Sequence, residues 1–160
     1  MTDPAGKVLA VCISPKRGVQ KREVERAELV AGHGIAGDAH AGPGHRQVSL
    51  LSAGSIEQIS ARGVDTFHGI FAENIVVGGL ELMTLPVGTM LAVGDARLEV
   101  TQIGKECHSR CAIYEQAGDC VMPREGIFAR VIRGGSIAPG AKIELLRSAY
   151  QGCGSGAQER

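Results

Sequence analysis

The stretch Thr89-Met90-Leu91-Ala92-Val93-Gly94-Asp95-Ala96-Arg97-Leu98-Glu99-Val100-Thr101-Gln102-Ile103 predicts a β-hairpin and decides the fold class. Gly94-Asp95 lies between two apolar runs and suits a two-residue turn of the primed type. After this turn Arg97, Glu99 and Thr101 alternate with Leu98, Val100 and Ile103, which predicts a strand with one wet face and one buried face. The second strand runs directly into a segment rich in cysteine.

Most of the remaining chain also reads as short strands separated by glycine-rich turns. The predicted strands cover residues 8–13, 46–51, 75–77, 127–132 and 142–146. A charged alternating segment, residues 23–30, fits a helix or a strand, and its position between turn signals favours a strand. The one clear helix is capped by Ser52 or Ser55 and carries Ile56 and Ile59 on one face before Gly63. We therefore expect a mainly β fold, a barrel-like sheet with one or a few short helices, because closing the sheet protects so many strand edges.

Length and composition limit the possible classes of protein. The 160 residues fit one domain, which we place at residues 1–146, and the polar, glycine-rich residues 147–160 are predicted to form a disordered tail. A formal net charge of +0, 3% aromatic residues and no Trp argue against nucleic-acid binding, and no segment resembles a membrane span. The five cysteines without an export signal are expected to be reduced thiols in a cytoplasmic protein.

A long loop is predicted between Gly32 and His45, where five glycines and three histidines stand with little apolar content. Glycine lets the backbone approach a ligand and expose its N–H groups, so this loop is a candidate anion site. A metal site formed by His33, His40 and His45 is the alternative, although their spacing supplies no further ligand pattern.

The segment from Gly104 to Gly135 combines three cysteines with a dense set of cations. Cys107, Cys111 and Cys120 are interleaved with or followed by Lys105, Arg110, Arg124, Arg130 and Arg133. Nearby positive charge stabilises the thiolate, which is the nucleophilic form of cysteine. Cys111, directly after Arg110, is the strongest candidate for a nucleophile; the alternative is that these are small, buried and inert side chains.

Four stretches together resemble the MOSC domain, the module named for the carboxy-terminal part of molybdenum cofactor sulfurases. They are Gly34-Ile-Ala-Gly-Asp38 with His40 and Gly42; Gln47-Val-Ser-Leu-Leu51; Phe71 with Glu73-Asn74-Ile75; and Arg110-Cys111 followed by Gly126 to Gly135 and Gly140. The cysteine segment is similar to that of the stand-alone bacterial members. The resemblance implies a barrel-like β fold, a cysteine at the position of Cys111, and a role in handling sulfur or the pterin-based molybdenum cofactor.

On this basis we expect Cys111 to accept sulfur as a persulfide and pass it to a bound molybdenum cofactor. Lys105 and Arg110 would lower the pKa of Cys111. The phosphate of the pterin would contact Arg124, Arg130 and Arg46, with His40 in the same site, because arginine forks suit phosphate. Asn74 and Glu73 would hydrogen-bond the edge of the pterin. The chain lacks a desulfurase domain, so its expected partner is a sulfur donor such as a cysteine desulfurase.

Two other functions remain open from the sequence. In the first, the protein is a non-catalytic carrier of the molybdenum cofactor, with Cys111 as a ligand of the metal. In the second, Cys107, His108, Cys111 and Cys120 form a structural or redox metal site, although Cys-x3-Cys departs from the usual zinc spacing.

Overall fold

A computed structural model describes residues 5–17, 19–104 and 126–147, with only the backbone of Ala5 and Arg147. Several predictions concern residues outside these ranges. They are the roles of Lys105, Cys107, His108, Arg110, Cys111, Cys120 and Arg124, and the tail beyond Arg147.

The described chain is mainly β. Its strands are β1 (Ala5–Ile13), β2 (Arg22–Val24), β3 (Ala27–Val30), β4 (Gly34–Ile35), β5 (Val48–Ser52), β6 (Ile75–Gly78), β7 (Met90–Val93), β8 (Ala96–Ile103), β9 (Ile127–Arg133), β10 (Gly135–Ile137) and β11 (Lys142–Arg147). One α-helix, α1 (Ala53–Ser60), and one 3₁₀ turn (Leu82–Thr84) complete it.

Seven of the strands form a closed barrel. Their order is β11-β7-β8-β9-β5-β6-β1, and β1 pairs with β11 to close the ring, while β2 adds to the edge of β1. All barrel neighbours are antiparallel except β5 and β6, which are parallel and are connected through α1. A separate three-stranded sheet has the order β10-β3-β4. The expected mainly β, barrel-like fold is confirmed.

The predicted hairpin is the pair β7–β8. Val93 pairs with Ala96, so Gly94 and Asp95 form the two-residue turn, and Gly94 has a φ of 57°, in the left-handed region that glycine tolerates best. Leu98 and Val100 are fully buried as expected. Ile103 is exposed, contrary to the prediction: it is the last residue of β8, and a period of two from Leu98 and Val100 places it with Arg97, Glu99 and Thr101 on the wet face.

Apolar side chains fill the barrel and a second core lies between its wall and α1. Val8 and Val11 of β1 belong to the first core, whereas Ala10 and Cys12 belong to the second. A strand buried on both faces explains the continuous apolar run of β1. Because the barrel interior is packed, we expect a ligand site outside it, most often on loops.

Helix α1 closes the second core. Ile56 and Ile59 are buried on it as predicted, and Ser52 is its N-cap residue by position. The hydroxyl of Ser52 makes no capping hydrogen bond, and Ser55 lies inside the helix, so neither serine caps it by its side chain. The charged segment 23–30 forms the strands β2 and β3, which settles the choice in favour of strand.

Candidate functional site

Four cationic or potentially cationic side chains surround one cavity at the barrel rim. This cavity, called here the cationic pocket, has a volume of about 430 Å³. It is lined by Arg17, His40, Gly42, Pro43, Gly44, His45, Arg46 and Phe128. The volume is in the range of small-molecule sites, about 300–1,000 Å³. The long β4–β5 loop supplies most of the wall, as the glycine and histidine content of that loop predicted.

The two arginines of the pocket are held by different contacts. The Nε of Arg17 donates to the carbonyl of Ala39 at 3.1 Å, which fixes this side chain over the loop. The guanidinium carbon of Arg46 lies 5.8 Å from the ring centroid of Phe128, in cation–π range. Both contacts leave further N–H groups of each guanidinium available to an anion, and planar arginine forks match phosphate oxygens well.

His40 is connected to a buried ion pair behind the pocket wall. The Nζ of Lys21 lies 2.7 Å from Oδ1 of Asp38 and 2.9 Å from Nδ1 of His40. The side chains of Lys21 and Asp38 are fully buried, whereas His40 is half-buried. An ammonium group can only donate, so Nδ1 of His40 accepts and the ring proton of a neutral imidazole is then on Nε2.

Asp38 organises this part of the loop. Its Oδ1 also accepts from the backbone N–H of Ser14 at 3.1 Å, and its Oδ2 accepts from that of His40 at 3.1 Å. Burial acts to raise the pKa of Asp38, but the hydrogen bond and charge of Lys21 and the two backbone donors outweigh it, and the pKa is lowered. For Lys21 burial dominates and lowers the pKa, against the opposing effect of Asp38.

His45 is anchored by two neighbouring side chains of β8. Its Nε2 lies 2.6 Å from Oε1 of Gln102, and the hydroxyl of Thr101 donates to its carbonyl. The amide nitrogen of Gln102 donates to the carbonyl of Gly104 at 2.7 Å. These contacts connect the pocket wall to the last described residue before the cysteine segment.

A second cavity, the Glu99 pocket, lies on the other side of the loop residues Pro43, Gly44 and His45, which line both cavities. It has a volume of about 670 Å³ and includes Arg130. Nε and Nη2 of Arg130 both lie 2.7 Å from Oε1 of Glu99. Arg130 is therefore not grouped with Arg46 and His40, and an anion here would have to share it with a carboxylate.

Asn74 and Glu73 are fully buried and line neither cavity. Oδ1 of Asn74 accepts from the backbone N–H of Ser49 and its Nδ2 donates to the carbonyl of Cys12, both at 3.0 Å. Glu73 accepts from the backbone N–H groups of Gly69 and Phe71 at 2.7 and 2.9 Å. These contacts hold strands and a turn together rather than presenting polar atoms to a ligand.

The chain leaves the barrel at Gly104, after β8, and rejoins it at Gly126, before β9. These two residues are hydrogen-bonded to each other next to the cationic pocket. The backbone N–H of Gly104 donates to the carbonyl of Gly126 at 2.6 Å. Two residues beyond Gly126, Phe128 packs under Arg46.

The sequence prediction did not include Arg17, Lys21 or His45 among the ligand-binding residues. Arg17 stands in a basic turn that could have drawn attention, but its contact with the loop joins residues 22 positions apart. Nothing local distinguishes Lys21 from a surface lysine. Among residues 5–17, 19–104 and 126–147, no three His, Cys, Asp or Glu side chains could hold a metal ion, so the alternative of a site formed by His33, His40 and His45 finds no support.

The described helices do not include one that is long and apolar enough to cross a membrane. Among curated proteins, no sequence matches the chain significantly.

Solved structures share the fold at low sequence identity. The YuaD protein from Bacillus subtilis superposes with a TM-score of 0.74 and 20% identity over 88% of this chain and 95% of that one. YiiM from Geobacillus stearothermophilus gives 0.68 and 18% over 89% and 75%, and YiiM from Escherichia coli gives 0.63 and 18% over 92% and 70%. The family model of the MOSC domain matches residues 36–144, which include most of the barrel and the loop of the cationic pocket. The chain therefore belongs to the MOSC domain family, whose members are associated with molybdenum cofactor-related proteins.

Proposed function

We propose that the protein binds a phosphorylated pterin of the molybdenum-cofactor type in the cationic pocket and delivers sulfur to it from a persulfide on Cys111. One observation carries the proposal: Arg17, Arg46 and His40 converge on a cavity at the rim position where the cysteine segment begins and ends. The candidate nucleophile belongs to the segment that connects Gly104 with Gly126, which supports the proposal that the pocket and Cys111 act together.

The residues of the pocket fit a phosphate group. Two arginines on one wall offer paired N–H donors, and the backbone of the Gly42–Gly44 stretch can approach an anion closely. Burial of Lys21 behind His40 adds a positive charge that Asp38 largely offsets. The bound cofactor would supply the molybdenum centre that receives the sulfur as sulfide, with a dithiol reductant giving the two electrons that the transfer consumes. The chain supplies binding, orientation and the thiol, to which Cys111 returns.

The sulfur-loading step needs no added oxidant. The Cys111 thiolate attacks the outer sulfur of a donor persulfide, a new S–S bond forms on Cys111, and the donor's S–S bond breaks to release its thiolate. Lys105 and Arg110, which neighbour Cys111 in sequence, would favour the thiolate form. A cysteine desulfurase is the proposed donor, in a reducing compartment such as the cytoplasm that keeps Cys111 reduced.

The binding test uses Arg17→Gln and Arg46→Gln, with titration of a fluorescent pterin phosphate. Loss of one charge-assisted hydrogen bond should weaken binding about tenfold or more in each variant. Arg26→Gln is the matched control, because Arg26 is exposed and lines neither cavity. Unchanged affinity in both pocket variants would contradict the proposed site.

The sulfur test uses Cys111→Ser and intact-protein mass spectrometry after incubation with a cysteine desulfurase and cysteine. Wild type should gain the mass of one sulfur atom, and Cys111→Ser should bind the pterin phosphate normally but gain none. Pterin binding without any sulfur gain in wild type would identify the protein as a carrier instead. A metal signal lost with Cys107 or Cys120 would support the metal-site alternative.

A further inference from the structure

We infer that His45, held by Gln102, is a hydrogen-bond acceptor that makes the cationic pocket selective for oxyanions that carry a hydrogen-bond donor. The inference rests on the proposed function and narrows the ligand class to ligands that present an O–H or N–H group beside their anionic oxygens. A phosphate monoester has lost its acidic protons at pH 8, so in a phosphorylated pterin this donor belongs to the rest of the ligand.

The backbone carbonyl of Gly104 can only accept a hydrogen bond. The side-chain atom of Gln102 at 2.7 Å from it must therefore be the amide nitrogen, and the other amide atom, Oε1, can only accept. Nε2 of His45 lies 2.6 Å from this oxygen and must carry a proton to form the bond. In a neutral imidazole only one nitrogen is protonated, so Nδ1 of His45 is an acceptor.

The position of His45 is fixed as well as its tautomer. Thr101 donates to its carbonyl and Gln102 binds its ring, so two consecutive residues of β8 hold the backbone and the side chain of one loop residue. His45 lines the cationic pocket together with Arg17 and Arg46. Under this inference Nδ1 faces the cationic pocket, which then combines guanidinium donors with an imidazole acceptor.

This combination discriminates between anions of equal charge. At pH 8, where free imidazole is neutral, inorganic phosphate is mainly the dianion with one O–H, whereas sulfate is a dianion without any proton. Hydrogen phosphate can donate to Nδ1 of His45 while its other oxygens accept from arginine. A sulfate oxygen at the same place would face the lone pair of Nδ1, and that repulsion leaves both groups without a partner.

The first measurement is the tautomer of His45 in the ligand-free full-length protein. Long-range ¹H–¹⁵N spectra at pH 8 distinguish the two neutral tautomers, and His45→Phe identifies the signals. We expect the Nε2–H tautomer in wild type and a mixture of tautomers in Gln102→Leu, which has no acceptor for Nε2–H. An Nδ1–H tautomer in wild type would overturn the inference whatever the pocket binds.

The second measurement compares hydrogen phosphate with sulfate by calorimetry at pH 8. Hydrogen phosphate gains a hydrogen bond to Nδ1 of His45, and it avoids the repulsion that a sulfate oxygen meets there. We therefore expect wild type to bind hydrogen phosphate about tenfold more tightly than sulfate. In His45→Phe the ratio should fall to about one, and in Gln102→Leu to an intermediate value. His33→Phe is the matched control: His33 is exposed on the same loop and lines neither cavity, so the ratio should remain that of wild type.

The outcomes separate this inference from the proposed function. Equal affinity of wild type for the two anions leaves the cationic pocket as an anion site but overturns the selectivity of His45. Failure to bind either anion removes the pocket as an anion site and the selectivity with it. Loss of discrimination in His33→Phe would also overturn the inference, because the effect would then not belong to the anchored ring.

Discussion

At the scale of single residues, the buried pair Lys21–Asp38 is the feature on which the pocket loop depends. Removing one partner by Lys21→Met or Asp38→Asn leaves a charge or polar group unpaired in the interior and should lower the free energy of unfolding, by about 3–5 kcal/mol when a full charge is stranded. The double variant Lys21→Met/Asp38→Asn removes both charges and should recover part of the loss. Urea unfolding at pH 7 measures all three, and additive effects would contradict direct coupling.

The same pair predicts how stability changes in acid. The pKa of Asp38 is lower in the folded protein than its ordinary value of 3.8, so the unfolded chain binds the proton more readily. Its contribution is therefore complete above about pH 5 and is lost as the pH falls through the lowered pKa. Urea unfolding from pH 6 to pH 2 should show a shallower acid-side loss in Asp38→Asn than in wild type. If the free energy of unfolding falls equally with pH in both proteins, other carboxyl groups determine the loss of stability in acid.

The pKa of Lys21 is also lowered, mainly by burial, but for this group the folded protein disfavours the charged form, whereas for Asp38 it favours it. The unfolded chain holds this proton more tightly, so the burial of the charged lysine opposes folding at low and neutral pH. That cost declines only as the pH rises above the folded pKa of Lys21. Asp38 is thus the partner that makes a buried lysine at this position tolerable.

Cysteine reactivity provides a third prediction at this scale. Cys12 is fully buried in β1, and burial, with the nearby carboxylates of Glu73 and Glu23, raises its pKa. Its thiol should not react with iodoacetamide at pH 7 in the folded protein. Cys111, beside Arg110, should react first, with a pKa below the ordinary value of about 8.5.

Rate-resolved alkylation with peptide mapping measures the reaction rates of Cys12 and Cys111. As a control, labelling in urea should show that Cys12 reacts once the protein is unfolded. Faster labelling of Cys107 or Cys120 than of Cys111 would reassign the nucleophile. Labelling of Cys12 at the rate of Cys111 would contradict the burial of β1.

At the scale of elements, the turn before β6 contains Gly69, the described glycine whose added Cβ would make the shortest contact. Gly69 has a φ of +98°, and a Cβ there would lie 2.2 Å from the carbonyl oxygen of Lys21. Gly69→Ala should therefore destabilise the fold by more than about 2 kcal/mol, because both the backbone conformation and the contact become strained. It should also displace Lys21 and weaken anion binding in the cationic pocket.

Gly54→Ala is the matched control for this substitution. Gly54 lies in α1 with no atom within 4 Å of an added Cβ, and alanine is the better helix former. We expect a gain of about 0.5–1 kcal/mol in the free energy of unfolding. Thermal and urea unfolding compare the pair, and equal effects would show that the Gly69 turn relaxes without strain.

Elements formed by neighbouring residues were predictable, and those formed by distant ones were not. The turn at Gly94-Asp95 and the pairing of Ile56 with Ile59 on one helix face are local patterns. The parallel pairing of β5 with β6 and the closure of β1 on β11 depend on contacts between distant residues, which no local periodicity reveals.

The site follows the same rule. Arg46 and His40 were predicted and are brought together, but the register that pairs Glu99 with Arg130 places Arg130 elsewhere. Asn74 was placed at a strand end correctly. Its burial depends on Ser49 and Cys12, which are 25 and 62 residues away.

At the scale of the whole molecule, the barrel separates stability from function. Its interior is occupied by apolar side chains, whereas the two cavities that border the Pro43–His45 stretch are lined by loop residues and by residues of β8 and β9. Formal net charge is +0, so the positive potential of the cationic pocket is local and not a property of the entire surface. This arrangement favours a small anionic ligand over a polyanion.

Closure of the barrel by β11 predicts how shortening the chain changes its stability, and this prediction also tests the domain boundary. Strand β11 pairs with both β1 and β7, and Ile143 on it is fully buried. A chain ending at residue 147 should unfold at the same urea concentration as the full chain and with the same dependence on urea, because the composition of residues 148–160 provides nothing to bury. A chain ending at residue 141 should lose cooperative unfolding, since two strand edges open at once. Ile143→Ala should lower the free energy of unfolding by about 2–5 kcal/mol, which is an effect between those of the two shortened chains. A loss of more than about 1 kcal/mol in the chain ending at residue 147 would show that the C-terminal residues stabilise the barrel, and that the domain extends beyond its predicted end.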